Sequence, residues 1–476
     1  MRTHFFCRAV PLFAAAALAG ALGHAQTPGP ATAAQGAPNA PPNTTPNTAA
    51  DAGALTLAQV LRAARENAEV QIARAALAAA RGDVIAADRA PNPVLTLKSS
   101  QMDLQNGLGS GNLITRKRID KSVGVDWTWE RGDKRALRTR SAQRSAAAAQ
   151  ADLDDTEVQQ LLAAASAWVD LAAAQDRLQQ VQAIERSASQ LADTAQRRLK
   201  AGDLSQQDTT RAEIEARRAA ADTLNARLDL QRAALALAAL IGPSAGAPAP
   251  AAATPAGQFS ADALRASGTW RAGLDAAQAT AASPAPADAT LEALLAQRAD
   301  IRAAQERVDA SRAALDAAQA LRRADVTWGV SLDNYPGTST RLLELRMQLP
   351  IQSPALGGYD FQGEIARAAA TLQQAQGALD RLRLQARADI LRLQQERQAS
   401  AQRVLQIEQD ILPRARRVAD NAELAYTKGA LSLTDLLDAR RTLRATLLDA
   451  VSAHAEHTRA DTAWTLRTQP DALLAR

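Results

Sequence analysis

Cysteine is all but missing from this sequence: its 476 residues hold one, Cys7. That residue lies within the first 25 positions, so the rest of the chain can form no disulfide and offers neither a thiol nucleophile nor a cysteine for lipid attachment. Aromatic residues are also scarce, at 3%, whereas apolar residues make up 47% and alanine dominates. A chain short of rings and rich in alanine favours long helices packed through small side chains over a bulky globular core. No apolar run reaches the 18 residues of a membrane-crossing helix. Despite a net charge of +5, Arg and Asp/Glu are interspersed and no dense Lys/Arg block appears, so the footprint of a nucleic-acid binder is absent. A phosphate loop and a G-x-S-x-G elbow are absent as well; neither an enzyme nor a cofactor is expected.

What is present begins with an export signal. Arg2 and Arg8 precede the apolar run AVPLFAAAALAGAL, and Gly23 and Ala25 place small residues at the recognition positions. Residues 1–25 read as a cleaved signal peptide without lipidation, and any membrane crossing by the exported chain must then use strands. Residues 26–53, rich in Pro, Asn, Thr and Ala, read as a disordered leader. Helical text from Thr56 ends at Pro91 and Pro93 and returns in related form from Thr290. The chain thus divides into a first repeat over 54–241, a Pro/Ala-rich linker over 242–289, a second repeat over 290–467 and a tail over 468–476.

Each repeat carries paired strands, near 93–103 and 119–130 in the first and near 324–333 and 341–350 in the second. In SVGVDWTWE, Val123, Val125, Trp127 and Trp129 alternate with small or polar residues; Trp328 takes a similar place in DVTWGVSLD. A half-buried soluble sheet gives the same alternation. Export, several such strands and the lack of any other membrane element favour barrel strands, with Trp127, Trp129 and Trp328 at the membrane interface. Four strands cannot close a barrel, whose smallest examples have about eight, so several copies must share one.

The helices supply length. From about Arg135 to Lys200 there is neither proline nor glycine, and such a run spans roughly 100 Å. A second run, from about Gly363 to Lys428, contains Pro413, which should kink or interrupt it. Each run ends at the same frame, G-x-L-S-x-x-D: turns at 201–205 and 428–432 with Gly202, Ser205 and Asp208 in one copy and Gly429, Ser432 and Asp435 in the other. The glycines suit the left-handed position that ends a helix, and each serine can cap the returning helix with the aspartate three residues on. Asp438 lies one turn beyond and has Arg211 as its counterpart. His454 and His457 stand i, i+3 with no third metal ligand in view and read as surface residues.

Taken together, YTKGALSLTDLLDAR (426–440), PNPVLTL (91–97) and WTWERGDKRALRTRSA (127–142) give nearly the whole mature chain a resemblance to the TolC family of outer-membrane efflux channels. The stretch around Gly132, Lys134 and Arg135 looks most like the heavy-metal branch typified by CzcC. The resemblance implies a fold that is mainly α with membrane β: long coiled-coil hairpins and four transmembrane strands per chain, with a homotrimer sharing one 12-stranded barrel and a periplasmic tunnel. It also implies a Gram-negative outer-membrane location and a passive role, with lipid around the barrel, a periplasmic adaptor at the helical tips and an inner-membrane pump of the RND type. Acids matching Asp435 and Asp438 line the family's closed entrance, where a ring of carboxylates would favour cations. Asp208 and Tyr426 match a latch between neighbouring helices. The family latch uses an arginine where this chain has Leu431, so a latch here would rest on hydrogen bonds and packing. Heavy-metal cations are the expected cargo; drug efflux or protein secretion by the same kind of duct, and a soluble periplasmic coiled-coil adaptor, are the competing readings.

Overall fold

Alanine-rich text without helix breakers folds as the sequence dictates, into helices far longer than a globular core needs. In the computed structural model, the described residues are 54–100, 119–242, 264–284, 286–335, 339–351 and 358–469. The expected signal peptide and leader, most of the first part of the expected linker and the tail beyond 469 lie outside them. The described chain opens with β1 (Ala54–Leu55), α1 (Leu57–Ala64) and α2 (Ala68–Ala87), then strands β2 (Val94–Ser100) and β3 (Asp120–Trp129). The first long hairpin follows, α3 (Lys134–Lys200) with α4 (Gln206–Ile241). The second half runs through β4 (Arg265–Ala266), α5 (Leu274–Ala281), α6 (Asp288–Gln297), α7 (Ala299–Ala320), β5 (Val326–Tyr335) and β6 (Ser339–Gln348). It ends in the second hairpin, α8 (Gln362–Leu405), a π-helical turn (Gln406–Ile411), α9 (Leu412–Thr427) and α10 (Leu433–Thr468). At 67 residues, α3 is roughly 100 Å long.

Pro413 does not split the second long helix. The N–H of Leu412 reaches back five residues to the Ile407 carbonyl, and the widened π turn just before Pro413 accommodates a residue with no N–H of its own. Glu408 projects from this turn, 2.9 Å from His454 Nε2 and 3.9 Å from Arg271. The histidines are not surface residues: His454 is 4% and His457 1% exposed. Their face of α10 packs inward, and Ser400 Oγ lies 3.3 Å from His457 Nδ1. Burial holds the His457 imidazole below its usual range.

Part of the expected linker is also built structure. β4 pairs in parallel with β1, and α5 sets Ala277 against Ala401 and Val404 of α8. Arg271 pairs with Asp176 on α3. Small alanines let the helices approach closely enough for these contacts, so a Pro/Ala-rich text need not be a spacer. A larger cluster joins Leu161, Trp168 and Leu171 of α3 to Leu237 of α4 and Val60 and Leu61 of α1. There the Trp168 indole donates to the Leu55 carbonyl at 2.9 Å.

The strands form one antiparallel sheet in the order β2-β3-β5-β6. Val123, Val125 and Trp127 of β3 stand opposite Leu332, Val330 and Trp328 of β5. This face is apolar and bare, with Leu97 at 69%, Leu343 at 69% and Leu345 at 74% exposure. The other face is polar. Across it Thr96 of β2 donates to the Asp126 carboxylate of β3 at 2.7 Å, and Arg346 of β6 reaches the same carboxylate. Gly329 of β5 sits in register between Asp126 and Arg346, and a Cβ there would collide with Asp126. One hydrogen-bonded line thus crosses all four strands over a glycine.

Candidate functional site

The two hairpins reverse by the same device. After α3, Gly202 has φ 81°, its N–H donates to the Leu199 carbonyl and that of Asp203 to the Arg198 carbonyl. After α9, Gly429 has φ 76°, donating to Tyr426, and Ala430 donates to Ala425. Both are six-to-one closures that glycine makes without a Cβ penalty. The returning helices start alike: Ser205 Oγ accepts from the Asp208 N–H at 3.1 Å, and Ser432 Oγ from that of Asp435 at 3.2 Å. Each serine hydroxyl also donates to its aspartate at 2.7 Å. Ser432→Ala is therefore expected to destabilise the first turn of α10 by about 1 kcal/mol. Amide exchange at Leu433–Asp435 should speed up accordingly; unchanged exchange would show that the hydroxyl does not hold the turn.

Beneath the tips an apolar cluster binds the hairpins together, with Leu191 and Ala195 of α3, Ala212 of α4, Tyr426 of α9 and Leu433 and Leu436 of α10. Leu204 and Leu431, the equivalent turn residues of the two repeats, pack against it. Leu431 therefore spends its side chain on packing. Polar contacts reinforce the joint: Arg211 donates to Thr434 at 2.9 Å, and Glu215 receives Arg441 at 3.1 Å and Arg444 at 3.5 Å.

The tip acids differ in what compensates them. Asp208 has Arg211 at 3.5 Å, one turn on. Asp435 has no ion pair among the described residues, because the position equivalent to Arg211 is Asp438. Asp438 is itself held by Arg441 at 3.3 Å, a cation it shares with Glu215. Asp435 and Asp438 are both exposed on the face of α10 opposite the buried Leu436 and Leu437. The single exchange of arginine for aspartate between the repeats thus leaves the uncompensated charge on Asp435.

Asp208 and Tyr426 are not bonded to each other within the chain. Asp208 engages Ser205 and Arg211. Tyr426 is 8% exposed, its ring carries the Arg198 guanidinium 5.3 Å from the centroid, and its hydroxyl has no partner among the described residues. Trp127, Trp129 and Trp328 lie at the opposite end of the molecule, at the helix-proximal ends of their strands, with 42%, 61% and 40% exposure. Sequence reasoning missed Arg441 and Glu215. The i, i+3 spacing of Asp438 and Arg441 was a readable signal, but Glu215, 226 positions away from Arg441, gave none. Among the described residues no group of three or more His, Cys, Asp or Glu converges as a metal site.

Residues 60–243 match the family profile described as outer membrane efflux protein. Among solved structures, the chain is similar to the outer-membrane channel OprN at 21% identity and TM-score 0.67, covering 87% of this chain and 89% of that one. The outer membrane protein VceC from Vibrio cholerae is similar at 19% identity and TM-score 0.64, covering 88% and 96%. CusC, described for its transmembrane channel formation, is similar at 17% identity and TM-score 0.67, covering 89% and 95%. No sequence among the curated proteins matches significantly. Long helical hairpins on a sheet with one bare apolar face are the fold of these outer-membrane proteins. Over residues 60–243 the chain matches the outer membrane efflux protein family, the TolC family of the resemblance above, and its described length has the fold of these structures.

Proposed function

We propose that three copies of this chain close one 12-stranded barrel in a Gram-negative outer membrane and continue it as a helical tunnel across the periplasm. The carrying observation is the open sheet. Its edge strands β2 and β6 lack outer neighbours among the described residues, one face is apolar and exposed, and four strands are too few to close. No described helix is long and apolar enough to cross a membrane, so the sheet is the element offered to lipid. The duct is passive. A periplasmic adaptor meets the tips formed around Gly202, Ser205, Gly429 and Ser432, and an inner-membrane pump of the RND type supplies the energy.

Cations are the proposed cargo, heavy-metal ions foremost, through an entrance ringed by Asp435 and Asp438. The different compensation of the two acids supports unequal shares, with Asp435 contributing more. The buried, partnerless hydroxyl of Tyr426 is the group we assign to a latch with Asp208 of a neighbouring copy.

Two measurements test this reading. Membrane fractionation should leave the protein in the outer membrane after carbonate and release it with detergent; release by carbonate alone would indicate a soluble coiled-coil protein instead. In planar bilayers, Asp435→Asn should lower the cation/anion permeability ratio more than Asp438→Asn does. A ratio unmoved by both substitutions would sink the ring.

A further inference from the structure

At the sheet end of the hairpins, charge is distributed in a way that the duct alone does not require. The apolar face ends in Trp127, Trp129 and Trp328. Two residues past Trp129 comes Arg131, exposed at the mouth of an open cleft of about 840 Å³ that Trp129 and Arg140 also line. Arg323 lies across Gly132: a Cβ on that glycine would run into its aliphatic stem, and φ 75° at Gly132 suits a glycine. Arg89 follows α2 at the same junction, where its carbonyl receives Arg138 at 2.9 Å.

The nearby acids are already engaged. Asp325 holds Lys134 at 2.9 Å, Asp88 holds Arg135 at 3.1 Å, Glu130 holds Arg138 at 2.6 Å and Asp360 holds Arg322 at 3.4 Å. The first turn of α3 contains no acid. Among the described residues, the side chains of Arg89, Arg131, Arg140 and Arg323 form no ion pair, and of the acids just named and Asp133, only Asp133 stands without one. Surplus arginine charge of this kind repels itself in water, and here it borders a tryptophan-edged apolar face.

We propose that this collar binds the phosphates of anionic phospholipid in the leaflet from which the helices emerge. Guanidinium forks match phosphate oxygens bidentately, while the tryptophans fix the depth at which the headgroups meet them. The inference rests on the barrel reading above and adds a lipid preference to it. An arginine near an anionic surface contributes roughly fivefold in partition, so a clear preference over zwitterionic lipid follows.

The test uses the full-length protein in liposomes of phosphatidylethanolamine with phosphatidylglycerol, one of the two brominated in its chains, and reads quenching of tryptophan fluorescence. Brominated phosphatidylglycerol should be enriched around the protein at least about fivefold over its bulk share at low salt. The enrichment should shrink in ~0.5 M salt as screening shortens. It should also be lost in the triple variant Arg131→Gln, Arg140→Gln, Arg323→Gln, which brominated phosphatidylethanolamine should still quench. Equal quenching of the wild type by the two lipids, or an unchanged preference in the triple variant, would overturn the proposal. Quenching by neither lipid would instead overturn the barrel reading, since the sheet tryptophans would then lie outside the bilayer.

Discussion

Gly329→Val is expected to abolish most of the heat-modifiable oligomer that the proposed shared barrel should give on unheated gels, although valine is the better strand former. Intrinsic preference in a strand spans about 1 kcal/mol and would favour the substitution. Packing opposes it. The new Cβ would occupy the space into which Asp126 leans, and Arg346 closes the same space at 3.2 Å through Nη2. The atoms in the way are the ends of side chains, so the cost falls on the charged hydrogen bonds they make, about 1.5–3 kcal/mol, and their displacement breaks the tie between the hairpins of the two repeats. In a barrel built from three copies the cost recurs in each, so assembly should fail more steeply than one chain's loss suggests. Adding Asp126→Ala should restore part of the oligomer by vacating that space. Wild-type assembly of the single variant, or no rescue in the double, would show that the polar line does not govern closure.

Arg298→Met should produce the largest loss in the helical region, and the loss should depend on pH. Arg298 is 5% exposed and sits between Asp300 at 2.8 Å and Asp389 at 3.1 Å. Burial pushes the Asp300 carboxyl up, but the hydrogen bonds and charge of Arg298 outweigh it and hold the group below its usual range. Asp389 is likewise pushed up by burial and held below its usual range, by Arg392 and Arg298. Depressed carboxylates contribute stability above their unfolded value, near 4, and lose it as pH falls through the folded value. Without the guanidinium, burial remains and favours a protonated Asp300 while Arg392 still holds Asp389, so the sign reverses at Asp300 and the cost grows as pH rises through the carboxylate range. Removing one partner of a buried pair costs about 3–5 kcal/mol, and Arg467, 3.9 Å from Asp300, should keep the loss near the lower end. The unfolding midpoints of variant and wild type should lie well apart at pH 7.5 and converge toward pH 4.5. A gap of equal size at both would refute the charge argument. Asp155 on α3 is pushed above its usual range by burial and by nearby Asp300.

Much of the tip could be read directly. The glycine, the serine and the aspartate of each turn act within a few residues of one another, so local spacing states both the reversal and the cap. The pairing of Asp208 with Tyr426 did not follow from spacing, and within one chain the two stay apart. Leu431 packs on the tip cluster, which agrees with the absence of a charge from the proposed latch at that position. The histidines misled in the other direction. A polar pair on a helix looks exposed until one knows which face the neighbouring helices cover, and here α8 and the π turn cover theirs.

By itself the sequence determined the parts. A glycine- and proline-free run becomes a long helix because propensity accumulates along it. Alternation becomes a two-faced strand because successive side chains point to opposite sides. A repeated G-x-L-S-x-x-D becomes a repeated tip. Only the tertiary structure decided which distant parts meet: Asp126 with Arg346 across 220 positions, Arg441 with Glu215 across 226, and the apparent linker with α3 and α8. Those contacts depend on strand register and helix approach, which bring together side chains that no local pattern relates. The extra acid at 438 shows both levels at work. Its presence is plain in the text, but its effect, leaving Asp435 uncompensated while Arg441 turns to two acids, exists only once α4 and α10 lie side by side.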